Sequence, residues 1–167
     1  MLGCGPRGWR PEALNIDAQP QTNVPNFYQQ DFVKDGIPFF PGRPLFERVI
    51  MEDVFEHLMN ADAVRVLHDL RERLAVGGHL EIRCPNLDTI VAEYAAGRID
   101  AWELARLLYG NQGGSIYDCH LSGYTPKSLT ERLEAAGFRV VKVEPRVKDY
   151  EGSPRANNMR VVAERRP

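Results

Sequence analysis

The sequence has few cysteines and lacks a long apolar run. Its three cysteines, Cys4, Cys84 and Cys119, are odd in number and far apart, which is typical of neither a disulfide framework nor a zinc site. Reduced thiols are the simpler interpretation, and they indicate the cytoplasm. No apolar stretch approaches the roughly 20 residues that cross a bilayer, and no signal-peptide pattern opens the chain. We therefore predict a cytoplasmic protein without a membrane span.

A large excess of charge is missing as well. The formal net charge is -2 and the isoelectric point is about 6.1, so the basic face of a nucleic-acid-binding protein is not expected. What the chain does have is a globular composition, with 43% hydrophobic and 26% charged residues. Its 167 residues suffice for one hydrophobic core and are too few for two, which predicts a single domain over residues 1–167.

Segments with strand-like patterns alternate with segments of helical periodicity. The predicted strands are a stub at residues 1–5 and then residues 14–17, 27–32, 46–51, 79–84, 139–144 and 159–164. The predicted helices begin at the caps Asn60, Asn86, Asp100 and Thr125, and three of them end at Gly77, Gly97 and Gly137. This order predicts an α/β fold with a Rossmann-like, doubly wound and mostly parallel sheet. The last two strands have no helix between them, which predicts a terminal antiparallel hairpin.

A glycine turn and a carboxylate stand at the ends of the first two predicted strands. Doubly wound folds bind ligands beyond the carboxyl ends of their strands, where Gly3 and Gly5 would let a ligand approach the backbone closely. Asp17 ends the next strand and could accept hydrogen bonds from both hydroxyls of a ribose. An ordinary tight turn and a loop aspartate are the structural alternatives. Taken together, the turn and the carboxylate favour a ligand site.

Three further positions carry possible ligand contacts. Asp31 could accept from an adenine amino group while Phe32 packs on the ring, although a surface turn is the better explanation for the pair taken alone. Glu52, at a strand end, is placed to meet the cationic amino group of a methionine moiety through its backbone or side chain. His57 could contact cofactor or substrate, or could simply pack in the next helix.

Four blocks of this sequence resemble a family of predicted S-adenosylmethionine-dependent methyltransferases of the broad type 11 group. They are LGCGPRGWRPEALNIDAQP, FERVIMEDVFEHL, LRERLAVGGHLEIRCPNLDTIVAEY and LTERLEAAGFRVVKVE, in the family's order and over nearly the whole chain. The resemblance implies the class I methyltransferase fold and S-adenosylmethionine as cofactor. It also implies that the cofactor contacts are Gly3, Cys4, Gly5, Asp17, Asp31, Phe32 and Glu52.

The sequence departs from that family pattern at three places. The first strand is cut to two residues before Gly3, so either the true start lies upstream or a stunted central strand weakens cofactor binding. Glu47 stands where the family usually has the acid that opens the fourth strand, which is a mild change. Ala75 and Val76 replace the usual Lys-Pro before a glycine pair, and we expect this to affect only the turn.

A glycine-rich loop at residues 111–124 lies where methyltransferases place their substrate determinants. Within it, Asp118 and His120 could form an acid/base pair that deprotonates an acceptor hydroxyl or amine. The structural alternative is a lid loop in which both side chains make local hydrogen bonds. We expect no metal here, because Asp118 and His120 lack obvious further ligands.

These observations predict methyl transfer to an oxygen or nitrogen of a small-molecule or sugar-related substrate. One alternative is a non-catalytic domain of the same fold that binds S-adenosylmethionine or a nucleoside. Another is an NAD-dependent Rossmann enzyme, which calls for a full strand before Gly3 and a helix after it, and neither is evident. The Pro-Pro-Tyr/Phe motif of amino-methylating DNA and protein enzymes is missing, so nucleic acid is not an expected partner. The acceptor and the oligomeric state stay open.

Overall fold

The computed structural model describes residues 1–6, 8–40, 45–113, 115–148, 153 and 156–167. The strands are β1 (Asn15–Asp17), β2 (Phe27–Gln29), β3 (Phe46–Glu52), β4 (Leu74–Pro85), β5 (Phe138–Val147) and β6 (Asn158–Arg165). The helices are α1 (Phe32–Asp35), α2 (Asn60–Arg73), α3 (Leu87–Ala95), α4 (Ala101–Tyr109) and α5 (Pro126–Ala135). Short 3₁₀ turns cover Phe55–His57 and Ile116–Asp118. Among the described residues, no helix is both long and apolar enough to cross a membrane.

The sheet is parallel on one side and antiparallel on the other. β1 pairs with β2 and β3 pairs with β4 in parallel, whereas β6 lies antiparallel between β4 and β5. Leu2 forms single parallel bridges to Ile16 of β1 and Met51 of β3, so it joins the two halves. The resulting order is β2-β1-Leu2-β3-β4-β6-β5. The predicted doubly wound sheet with a terminal antiparallel hairpin is therefore confirmed.

The central position of the sheet is held by a very short segment. The backbone N–H of Leu2 donates to the Ile50 carbonyl at 2.9 Å, and the Met1 carbonyl accepts from Ile16 N–H at 2.9 Å. Leu2 is buried among the core side chains. These bonds place the turn that follows, which begins at Gly3, at the carboxyl edge of β1 and β3.

The core forms where the apolar stripes of α2 and α5 pack on the sheet, α2 against β4 and α5 against β5 and β6. Ala63, Val66, Leu67 and Leu70 are buried at helical spacing along α2, and they join the strand side chains of the core in one cluster. Leu129 and Leu133 of α5 are buried in the same cluster, as the sequence periodicity predicts. This packing fixes the strand ends that carry the site.

Side-chain caps set the beginnings of three helices as predicted. Asn86 accepts from Asp88 N–H, Asp100 accepts from Glu103 N–H, and Thr125 forms a reciprocal capping box with a serine of α5. These caps act over three residues or fewer, which is why the local sequence predicts them correctly.

Two predicted boundaries of α2 are wrong. Met59, not Asn60, stands at the N-cap and makes no side-chain cap bond. The helix ends at Arg73, before Gly77, because β4 already begins at Leu74. Gly77, with φ +78°, lies instead in an irregular part of β4, where the register with β3 shifts.

The predicted strand 27–32 is also too long. β2 ends at Gln29, and Phe32 begins α1. The reason is Asp31, whose carboxylate accepts from the N–H groups of Val33 and Lys34 and so caps a helix. The predicted loop 36–44 falls partly outside the described residues, at positions 41–44.

Candidate functional site

Two cavities open near the carboxyl edge of the parallel strands. The first cavity has a volume of about 470 Å³, and its walls include Gly3, Gly5, Asp17, Asp31 and Phe32. The structure therefore brings five of the seven predicted cofactor-contacting residues to one cavity. The second cavity, of about 790 Å³, is reached from the 3₁₀ turn Phe55–His57 and the loop after α4.

The glycine turn and Asp17 converge as the sequence predicts. The backbone N–H of Gly5 donates to Asp17 Oδ2 at 2.8 Å, and the Gln19 N–H donates to Asp17 Oδ1 at 2.9 Å. Each carboxylate oxygen keeps a further lone pair for a ligand, because one oxygen can accept two hydrogen bonds. Asp17 thus presents a preorganised acceptor pair beside the turn.

Gly3 is required by both its backbone angle and its surroundings. Its φ is +62°, and a Cβ atom there would lie 2.5 Å from Val54 Cγ2. Gly5 has φ +52°, but nothing lies within 4 Å of the position of its Cβ. The backbone at Gly5 is therefore open to a ligand, whereas Gly3 packs against the segment after β3.

Asp31 and Phe32 form the far wall of the first cavity. Asp31 Oδ2 lies 3.1 Å from Lys34 Nζ and accepts a hydrogen bond from the Tyr117 hydroxyl at 3.4 Å. Burial alone raises the pKa of Asp31, but the hydrogen bonds from Lys34 outweigh it and lower the pKa below its usual value. Phe32 is buried and gives the cavity an apolar surface beside this carboxylate.

The other two predicted cofactor contacts do not line the first cavity. The Cys4 thiol is buried, and its burial, with a contribution from Asp17, raises its pKa to about 11. Both carboxylate oxygens of Glu52 accept from Arg10, at 3.0 and 3.1 Å. The lining instead includes the next two residues, Asp53 and Val54. The structure does not bring the Glu52 side chain to the other predicted contacts.

Asp53 is a residue that the sequence analysis missed. It lines both cavities, and its carboxylate accepts from Asn158 Nδ2 at 2.6 Å and from Arg83. Partial desolvation raises its pKa, although 42% of the side chain is exposed, and the Arg83 guanidinium offsets part of that rise. Its position directly after β3 was the available signal. Which of the two neighbouring carboxylates lines the cavities depends on their long-range partners, Arg10 for Glu52 and Arg83 for Asp53, and no local pattern reports these contacts.

His57 and His120 lie together at the second cavity. Their ring centroids are 4.9 Å apart with an edge-to-face angle of 83°. His57 Nδ1 lies 2.9 Å from the Cys119 carbonyl, and His120 Nδ1 lies 3.0 Å from the Leu107 carbonyl. Burial lowers both pKa values, that of His120 to about 4 with a contribution from His57, so both rings are neutral at pH 7.

The predicted acid/base partnership of Asp118 with His120 is not formed. Within the described residues, no hydrogen bond joins the two side chains, and His120 is held by Leu107 and His57 instead. Asp118 is exposed and lines both cavities, where its charge acts on His57 and favours the protonated ring. Gly114, in the same predicted loop, lies outside the described residues.

Glu56 is a second residue that the sequence analysis left without a role. It is only 2% exposed, and its Oε2 has no hydrogen-bond partner among the described residues. Burial raises its pKa well above the usual value, and the neighbouring Asp53 adds to that rise. Glu56 and His57 stand in one of the sequence blocks that resemble the methyltransferase family. That resemblance indicates where Glu56 lies in the fold, but it does not indicate that its side chain is buried.

The two cavities share four lining residues, Asp53, His57, Tyr117 and Asp118. Ligands in the two cavities would therefore meet at these four residues. Such an arrangement suits a two-substrate reaction, with a cofactor on one side and an acceptor on the other.

Solved structures with the same fold are methyltransferases. The fold matches human N-acetylserotonin methyltransferase in complex with SAM at 17% identity and a TM-score of 0.54, covering 87% of this chain and 35% of that chain. It matches Burkholderia thailandensis 1,6-didemethyltoxoflavin-N1-methyltransferase at 15% identity and 0.59, covering 92% and 60%. A Clostridium acetobutylicum S-adenosylmethionine-dependent methyltransferase matches at 9% and 0.59, covering 99% and 82%. The chain thus has the class I methyltransferase fold.

The sequence itself matches a family model described as "Methyltransferase domain" over residues 2–143. The chain belongs to this family of S-adenosylmethionine-dependent methyltransferases. It spans 35% of the length of the human enzyme and 60% of that of the Burkholderia enzyme. No curated protein matches the sequence.

Proposed function

We propose that the first cavity binds S-adenosylmethionine and that its methyl group passes to an oxygen or nitrogen of a small molecule in the second cavity. The observation that carries this proposal is the hydrogen bond from Gly5 N–H to Asp17 Oδ2, which turns the carboxylate toward the glycine turn at one cavity. In this proposal a single domain over residues 1–167 performs the reaction.

Asp17 accepts the ribose hydroxyls, because Oδ2 faces the glycine turn and each of its oxygens accepts only one backbone hydrogen bond and keeps an unused lone pair. Phe32 packs against the adenine, and Asp31 accepts from the adenine amino group. The open backbone at Gly5 receives the cofactor closely. The methionine end lies toward Asp53 and Val54, which line the cavity where the Glu52 side chain does not.

S-adenosylmethionine supplies an electrophilic methyl group, so the chain mainly has to position the acceptor. Positioning of this kind can lower the activation free energy by on the order of 7–11 kcal/mol. Neutral His57, at the boundary of the two cavities, can accept the proton of an acceptor hydroxyl or amine at Nε2. His120 and Asp118, which also line the second cavity, orient the acceptor.

A small-molecule acceptor is supported by the size of the second cavity, about 790 Å³. The Burkholderia relative was crystallised with 1,6-didemethyltoxoflavin and S-adenosylhomocysteine, and the human relative is named for N-acetylserotonin. A sugar-related acceptor fits the same cavity.

Two other functions compete with this proposal. One is a non-catalytic domain of the same fold, which would bind the cofactor beside Asp17 without transferring its methyl group. A nicotinamide enzyme is disfavoured, because no helix follows the glycine turn in the described residues up to Gln30, and a pyrophosphate needs such a helix terminus.

Calorimetric titration of the full chain with S-adenosylmethionine, S-adenosylhomocysteine and NAD separates these functions. We expect saturable binding of S-adenosylmethionine and S-adenosylhomocysteine and no binding of NAD. In a separate assay, we expect the chain to transfer a tritiated methyl group from S-adenosylmethionine to a member of a small-molecule acceptor panel. Binding of NAD alone would contradict the proposal. Binding of S-adenosylmethionine without transfer to any acceptor would favour the binding domain.

A further inference from the structure

Three side chains of metal-ligating type meet at the wall of the second cavity. One ligand atom each of Glu56, His57 and His120 lies within 4.8 Å of the others. We propose that these three residues bind a divalent transition-metal ion, for which Zn²⁺ is the probe. The site does not depend on methyl transfer being the activity of the chain.

The fold holds the two contributing segments in register. The Glu56 carbonyl accepts from the N–H groups of Leu121 and Ser122, at 2.8 and 3.0 Å. These bonds fasten the segment that carries His120 to the 3₁₀ turn that carries Glu56 and His57. Ligands at about 2.0–2.2 Å from a tetrahedral ion lie about 3.4 Å apart, so ligand atoms up to 4.8 Å apart need to move together by up to about 1.4 Å.

Both imidazoles are oriented as metal ligands usually are. A carbonyl oxygen only accepts hydrogen bonds, so His57 donates from Nδ1–H to Cys119 and His120 donates from Nδ1–H to Leu107. Each ring therefore carries its lone pair on Nε2. In the metal-bound chain, His57 Nε2 binds the ion and does not accept the proton of the acceptor. A histidine that binds a metal through one nitrogen typically donates the other N–H to a carbonyl or carboxylate, which fixes the ring.

Glu56 supplies the independent observation that points to a ligand. Its side chain is almost fully buried, yet Oε2 has no partner within the described part of the chain. A buried polar atom without a partner is costly, and buried carboxylates normally pair or coordinate a cation. A metal ion between Glu56 and the two imidazoles would satisfy this atom.

The donor set and the cavity define the kind of ion and ligand. Two imidazole nitrogens and one carboxylate oxygen suit Zn²⁺ and related ions, and three protein ligands leave a coordination position open. All three residues line the second cavity, so that position faces the proposed acceptor. The ligand class is therefore a small molecule with a phenolic, enolic or carboxylate oxygen.

Zinc titration of the full chain, stripped of metal and kept reduced, tests the site. We expect one Zn²⁺ per chain, with affinity lowered more than about ten-fold by His120→Gln, His57→Gln or Glu56→Gln. The matched controls are His68→Gln and His79→Gln, because both histidines are exposed and lie outside the cluster. Thermal unfolding of each variant identifies any that fails to fold. If one of the variants His120→Gln and His57→Gln fails to fold, the other still tests the site.

A second readout is independent of activity. Cobalt added in place of zinc should give the strong visible absorption of a low-symmetry site, and His120→Gln should abolish it. No zinc binding by the wild-type chain, or equal affinity in the cluster variants and the controls, would overturn the metal site. S-adenosylhomocysteine binding, measured on the same samples, reports on the proposed function separately.

Discussion

Gly5 donates its backbone N–H to Asp17 Oδ2 at 2.8 Å, although the two residues are 12 positions apart. This contact ties the turn after the N-terminal segment to the end of β1. It leaves an acceptor carboxylate and an unobstructed stretch of backbone at the same cavity. The cofactor proposal and several of the predictions below depend on this turn.

Gly3→Ala should destabilise the fold more than Gly5→Ala. Both positions have positive φ, which costs an alanine about 1–2 kcal/mol, but only at Gly3 does the added methyl meet Val54. Overpacking adds about 1–3 kcal/mol there. Urea unfolding should show the difference in the free energy of unfolding.

The steric part of that cost can be removed. The free energy of unfolding of the double variant Gly3→Ala/Val54→Ala should lie close to that of Gly5→Ala. The two substitutions are not additive, because the methyl group added at Gly3 meets the Val54 side chain. Equal destabilisation by the two single alanine substitutions would contradict the close packing of Gly3 on Val54.

Arg10 and Glu52 should show measurable coupling. Two hydrogen bonds join the guanidinium to both carboxylate oxygens, and the Glu52 side chain is only 17% exposed. A double-mutant cycle with Arg10→Gln and Glu52→Gln should give a coupling energy of about 0.5–1 kcal/mol in unfolding, lower at high salt. A coupling energy of zero would mean that Glu52 is free to serve another partner.

The three cysteines should differ in reactivity toward iodoacetamide. Cys4 and Cys84 are buried free thiols, and burial raises both pKa values, that of Cys4 to about 11. A raised pKa means less thiolate at pH 8 and slower alkylation. Mass spectrometry should find Cys119, which is half-buried, labelled first. Labelling of Cys4 ahead of Cys119 would show that the glycine turn opens in solution.

Much of the fold is predictable because its signals are local. The caps at Asn86, Asp100 and Thr125 and the alternation of strand and helix each depend on a few neighbouring residues. The end of α2 is mispredicted because Gly77 has a positive φ, which is typical of a residue that ends a helix, but lies inside β4.

The site is less predictable because it depends on long-range contacts. The convergence of Gly5 and Asp17 follows from where two strands end, which the sequence indicates. The meeting of His57 with the segment of Cys119 joins positions 62 residues apart, and no local pattern reports it. For the same reason the sequence predicts a partnership of His120 with its neighbour Asp118, whereas in the fold His120 packs against His57.

The affinity of S-adenosylhomocysteine for Asp17→Asn tests the central claim most directly. The substitution keeps the shape of the side chain, but it removes the charge and replaces one acceptor oxygen by an NH2 donor. It therefore weakens the hydrogen bonds with a ribose, which are worth about 1.5–3 kcal/mol each. The control is Asp69→Asn on α2, outside both cavities. We predict that calorimetry finds Kd raised about 10- to 100-fold for Asp17→Asn and unchanged for the control. Equal affinity in the two variants would contradict the placement of the cofactor at Asp17.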